Sequence, residues 1–211
     1  MGARPAAGGG RWVDVAPERL PRWLENFAKR HGPYRAEGLH LIAEDGATAD
    51  LEGPIGAAPV PNDLDGLVKT AGAARRLGLV LARKGAVAVG VADGDELVTT
   101  KVDTHYVQGR TAAGGWSQHR FARRRDNQAK AAAVDGAGIV ARILLPEVRR
   151  LAALVAGGDR MAVDAILDTP ALAPLVALRA GRLLDVPEPR HAVLVTAVAQ
   201  ARAVRVLVRE P

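Results

Sequence analysis

The chain has no cysteine among its 211 residues, which excludes a disulfide framework, a catalytic thiolate and a thiolate metal site. Aromatic residues make up only 3%, so any core must be built from Ala, Val, Leu and Ile. No apolar run approaches the ~20 residues needed to cross a bilayer, and the opening "MGARPAAGGG" lacks the apolar segment of a secretory signal. These absences lead to the expectation of a cytoplasmic protein. No internal repeat is visible. Hydrophobic content of 48% and charged content of 25% are ordinary for a globular protein, and the length suits one well-packed domain or one with a small appended part.

Charge is present, but unevenly. The formal net charge is +6, and Lys101 to Lys130 alone holds seven basic residues against Asp103 and Asp126. A positive field so concentrated favours a polyanion such as nucleic acid. A solvated helix face is the plainer explanation of a charge run taken alone.

Residues 1–10 read as a disordered tail. "RWVDV" alternates like a short strand, and Pro17 opens a helix with Leu20, Trp23, Leu24 and Phe27 on one face, ending near Gly32. "GLHLIAEDGATADLEG" predicts a hairpin turning at Asp45-Gly46, and Leu64 to Leu77 predicts a helix weakened by Gly66 and Gly72. Three strands follow at about 78–83, 86–92 and 96–107, forming an antiparallel meander turned at Lys84-Gly85 and Asp93-Gly94-Asp95. From Ser117 a helical pattern runs toward Pro146, with Gly136 and Gly138 as places to bend or break. "RRLAALVAGG" reads as a buried strand, "RMAVDAIL" and "HAVLVTAVAQARA" as helices, and "VRVLVREP" as a closing strand. The expected class is mixed α/β, a partly antiparallel sheet with flanking helices. The division expected is an N-terminal α/β part over 11–70 packed on a main domain over 71–211.

The stretch between meander and helix, "GRTAAGGWSQHRFARRRDNQ", combines chemistry that is weak residue by residue. Gly114-Gly115 matches neither the phosphate loop nor the dinucleotide fingerprint. The histidines at 31, 40, 105, 119 and 191 have no zinc-binding spacing, and no metal site is expected, although Asp103 and His105 share a strand face. Ser117 lies in no nucleophile elbow and suits a helix N-cap. On a helix, however, Arg120, Arg123 and Arg124 fall on one face, just after a glycine tip carrying Gln118. Such a face grips a phosphate backbone without reading its sequence.

"GGWSQHRFARRR" resembles the loop and helix of the central domain of eukaryotic and archaeal peptide-release factors, where Gly-Gly-Gln precedes an arginine-rich helix. Trp116 stands here where that glutamine would be, and a glutamine follows two positions later as Gln118. The displaced glutamine is similar to the release-factor-like peptidyl-tRNA hydrolases of ribosome-associated quality control, and "KVDTHYVQGRTAAGGWSQHRFARRRDNQ" resembles their bacterial, especially actinobacterial, branch. The resemblance covers about residues 75 to 211 and implies an RNase H-like fold without nuclease chemistry. It also implies hydrolysis of the peptide–tRNA ester on a stalled large ribosomal subunit. Its partners would be rRNA and peptidyl-tRNA, and it needs no cofactor; a monomer is expected. Carried onto this sequence, Gln118 is the catalytic glutamine and Gly114-Gly115 the tip entering the peptidyl-transferase centre. The RNA-facing set is Arg110, Trp116, Arg120, Arg123, Arg124, Arg125 and Lys130. Two other readings stand beside it: a non-catalytic rRNA- or tRNA-binding rescue adaptor, and a metal-dependent nuclease of the same fold family.

Overall fold

A computed structural model describes residues 4–83, 85–104 and 117–211, the last stretch with side chains from residue 128 onward. The chain divides into two units, residues 1–75 with 199–211, and residues 76–198.

The first unit is built on an antiparallel six-stranded sheet ordered β1-β2-β11-β5-β4-β3. Its strands are β1 (Arg4–Pro5), β2 (Arg11–Val15), β3 (Tyr34–Glu37), β4 (His40–Ala43), β5 (Thr48–Glu52) and β11 (Val204–Arg209). The glycine-rich start, expected from composition to be a disordered tail, turns through Gly8, Gly9 and Gly10 at positive φ and pairs Arg4 with Trp12. Glycine is what permits three consecutive left-handed residues.

Strand β11 shows how the alternation works. Val204, Val206 and Val208 are buried with Leu41, Ala49 and Leu51 under α1 (Leu20–His31) and α2 (Leu64–Ala71), which contribute Leu20, Phe27, Leu67 and Ala71. On the opposite face Arg205 pairs with Glu52 at 3.2 Å and lies 3.8 Å over the Trp12 ring, while Arg209 reaches Asp50 at 2.6 Å. Asp63 caps α2 by accepting from the Gly66 amide at 2.7 Å. The helix expected to reach Leu77 stops at Ala71, where Arg75 donates to the Thr70 and Ala71 carbonyls. That cap satisfies helix-end acceptors and frees the next residues to enter a strand.

The second unit holds a five-stranded sheet ordered β10-β9-β6-β7-β8. The meander is β6 (Arg76–Arg83), β7 (Ala86–Asp93) and β8 (Glu96–Thr104), with β6–β7 and β7–β8 antiparallel. Helix α3 (Ser117–Leu144) then crosses to β9 (Ala153–Gly158), parallel to β6, and α4 (Arg160–Leu167) leads on to β10 (Arg179–Leu184), parallel to β9. Only β7 runs against its neighbours, and counting this sheet's strands alone the order is 5-4-1-2-3. That is the RNase H-like arrangement implied by the resemblance.

Both faces of this sheet are covered, which explains the unbroken apolar runs of β6 and β7. On one face Val80, Val87, Val89, Val91 and Leu154 meet Ala137, Val140 and Leu144 of α3, Val163 and Ile166 of α4, and Leu175 of the short α5 (Ala173–Val176). On the other, the Cβ position of Gly90 lies 3.6 Å from Leu194 of α6 (His191–Arg202). Each fully buried leucine here, such as Leu79 or Leu154, stabilises by roughly 1.5–3 kcal/mol. Strand β10 was not anticipated, because "RAGRLL" is only half-buried at the sheet edge and carries no clean alternation.

Candidate functional site

Helix α3 is the element that positions the candidate site. It spans 28 residues, about 42 Å at 1.5 Å per residue, and runs unbroken through Gly136 and Gly138. Two helix-weakening glycines are tolerated because one has a packing role. A Cβ at Gly136 would lie 3.0 Å from Ile166 Cδ1, so glycine lets α4 approach, whereas Gly138 faces open space. The C-terminal half of α3 is thereby locked into the core, with Ala137 and Ile139 nearly buried and Val140 and Leu144 fully so.

The opposite end of α3 carries the sequence-derived candidates. Ser117 is its first residue and Gln118 its second, and twelve residues separate the end of β8 from the start of the helix. Positions 120, 123, 124 and 125 follow within the next two turns. Positions 123 and 130 are seven residues apart, close to two full turns, and so occupy the same side of the helix. Lys130 is exposed there. The side chains of Gln118, Arg120, Arg123, Arg124 and Arg125, and all of Arg110, Gly114, Gly115, Trp116 and His105, lie outside the described residues. Ser117, suited by sequence to a helix N-cap, is the first residue inside the helix, one position past a cap, and its side chain lies outside the described residues.

Elsewhere in this unit several arginines are committed to carboxylates. Arg76 donates to Glu147 at 2.9 Å and to Asp93 at 2.7 Å, and those hydrogen bonds, Glu147 first, hold its guanidinium pKa above the ordinary value. Arg179 meets Asp164 at 2.7 Å, and Arg150 meets Glu147 at 3.5 Å. The run from 105 to 130 differs in kind, since six basic residues there share a single acid, Asp126. Among the described residues no group of three His, Cys, Asp or Glu side chains is arranged to hold a metal ion, and no helix is long and apolar enough to cross a membrane.

A second feature adjoins α3 and was not visible in the sequence. A cavity of about 730 Å³ lies between Ala129–Val134 of α3, α4, and the carboxyl ends of β6 and β9. Its walls are carved by small residues, among them Ala82, Ala86, Ala132, Ala133 and Ala165, with Ile166 at its floor. The charged residues along it are Arg83, Lys130, Asp159 and Asp168. Arg83 is committed elsewhere, donating to the Val186 carbonyl at 2.7 Å and lying 3.8 Å from Asp185, which leaves Lys130 as the cation facing the cavity. Asp159 is held by accepting from the Met161 and Ala162 amides at 2.9 and 3.3 Å. The one sequence signal for this feature is "GGD" after an apolar strand. Gly158 sits at φ +97°, and a Cβ there would lie within 2.3 Å of the Ala82 carbonyl oxygen. Glycine alone lets the chain leave β9 tightly enough to deliver Asp159.

No curated protein matches the chain in sequence. Solved structures are similar to it in part. The crystal structure of the archaeal translation termination factor aRF1 aligns with a TM-score of 0.41 and 16% identity, over 68% of this chain and 42% of that one. A structure described as an archaeal protein gives 0.40 and 14%, over 68% and 41%. The chain therefore spans less than half the length of either. A family model of the Actinobacteria/chloroflexi VLRF1 release factors matches residues 75–207, more than half of the 211, and the chain belongs to that family.

Proposed function

We propose that the protein is a peptidyl-tRNA hydrolase that releases nascent chains from stalled large-subunit complexes in the cytoplasm, acting as a monomer through Gln118 at the start of the helix that follows a glycine-bearing stretch. The observation that supports this most is the coincidence of release-factor family membership with the place of Gln118, the second residue of a long helix anchored at its far end. On this reading residues 71–211 are the release-factor-like catalytic domain, and residues 11–70 are an N-terminal α/β part.

The chemistry is compatible with a glutamine. Its amide is neutral and is no strong base, but it donates and accepts hydrogen bonds and can hold a water for attack on the ester carbonyl. Backbone N–H groups of the Gly114-Gly115 tip would stabilise the developing oxyanion. Arg110, Arg120, Arg123, Arg124, Arg125 and Lys130 would hold the acceptor end of tRNA or rRNA through phosphates, with Trp116 stacking on a base. A self-contained acid–base pair is unnecessary, because the ribosomal RNA forms the rest of the site.

The test is release of a labelled nascent chain from purified stalled large subunits. Gln118→Ala should retain subunit binding and lose release. Unchanged release in that variant would leave the non-catalytic adaptor reading, and RNA cleavage abolished by chelator would point to the nuclease reading instead.

A further inference from the structure

We propose that the cavity between α3, α4 and the carboxyl ends of β6 and β9 is a nucleotide site, with a nucleobase between the apolar walls, its amino edge toward Asp159 or Asp168 and its phosphate toward Lys130. Four observations carry this. The volume, about 730 Å³, falls within the 300–1,000 Å³ of ordinary small-ligand sites. The walls are methyl and methylene groups of Ala132, Ala133 and Ile166, suited to the flat faces of a base. The rim carries both signs of charge, which a simple anion would not need and a purely apolar ligand would leave unmatched. A nucleotide needs both: carboxylates accept from exocyclic amino and ring N–H groups, and a cation meets the phosphate. Finally, the cavity opens outside the carboxyl ends of two adjacent parallel strands, where open α/β sheets place their ligands.

The same chemistry could arrive as a free nucleotide or as an unstacked nucleotide of RNA. Lys130 belongs both to the cavity and to the side of α3 that holds position 123, so the RNA source is favoured. That part rests on the function proposed above. Lys130 lies twelve residues from Gln118, about 18 Å along the helix axis, a span of a few nucleotides.

The test uses the full chain and follows amide chemical shifts during titration with AMP, adenosine and ribose 5-phosphate. AMP should shift residues 82–86, 129–134 and 159–169 with a Kd on the order of 1 mM, with adenosine and ribose 5-phosphate each about tenfold weaker. Lys130→Glu, at an exposed position, should weaken AMP about fivefold or more and leave adenosine unchanged. Ala133→Trp, which fills the cavity, should abolish both, with the melting temperature showing whether it folds. A short single-stranded RNA displaced by AMP and lost in Ala133→Trp identifies RNA as the source; AMP binding that the RNA does not compete for identifies the free nucleotide. Gln118→Ala should bind AMP as the wild type does, which separates this site from the release chemistry. No shift in these residues at about 10 mM AMP, a response to an apolar dye alone, or equal losses of AMP and adenosine in Lys130→Glu overturns the proposal.

Discussion

Two glycines of the second unit should respond to the same substitution with opposite signs. At Gly158, alanine must adopt φ +97°, which costs about 1–3 kcal/mol for a residue with a Cβ. That Cβ would also lie 2.3 Å from the Ala82 oxygen, the acceptor of the Asp159 amide at 2.8 Å, so the turn must open and loosen that bond. The lost hydrogen bond adds about 0.5–1.5 kcal/mol. Gly158→Ala should therefore destabilise by about 2–4 kcal/mol, a fall in Tm on the order of 10 °C for a unit this size. At Gly138 nothing lies within 4 Å of the Cβ position and the residue is inside α3. Gly138→Ala should stabilise by about 0.5–1 kcal/mol. Urea and thermal unfolding of the two variants decide the matter. If Gly158→Ala unfolds like the wild type, the β9–α4 turn is not as tight as described and the placement of Asp159 loses its basis.

Other expectations concern charge. Asp50 lies between Arg209 at 2.6 Å and His40 at 2.5 Å. Burial pushes its carboxyl pKa up, but the hydrogen bonds from Arg209 and His40 outweigh this and leave it below the ordinary 3.8. Its contribution to stability is thus complete above about pH 4 and is lost as pH falls through the lowered value. Urea midpoints measured from pH 6 to pH 2.5 should fall on acidification, and Asp50→Asn should flatten that limb. Asp45 behaves with the same sign, held low by the Ala47 amide and opposed by burial, with His31 adding to the lowering. Neutralising Arg123 and Arg124 together should weaken subunit or tRNA binding and reduce the slope of log K against log salt by about 1.4–1.8, one phosphate contact for each arginine. An unchanged slope would mean a solvated face.

Much of the fold could be read locally, for reasons particular elements make plain. The β6–β7–β8 meander announced itself because its turns hold glycine and because β6 and β7, covered on both faces, are continuous apolar runs. The amphipathic α1 followed from Leu20, Trp23 and Phe27 at helical spacing, with Trp23 and Phe27 stacked at 5.5 Å. What escaped was set by partners distant in sequence. The pairing of β11 between β2 and β5 joins residues more than 150 positions apart. The continuity of α3 through Gly136 depends on Ile166 of another helix. The edge strand β10 has too little buried surface to leave a pattern. For the candidate site, Gln118 stood out only through its likeness to release-factor tips, since a glutamine beside glycines has no chemistry legible by itself. The cavity beside α3 was invisible because it is defined by the smallness of its alanines, which in sequence look like ordinary helix formers.

The most direct test of the central claim is the rate of nascent-chain release from purified stalled large subunits by wild type and Gln118→Ala, measured alongside subunit binding. Binding should be kept and release should fall by at least ~100-fold, the scale typical of losing a positioned catalytic group. Release at the wild-type rate with intact binding would contradict the claim.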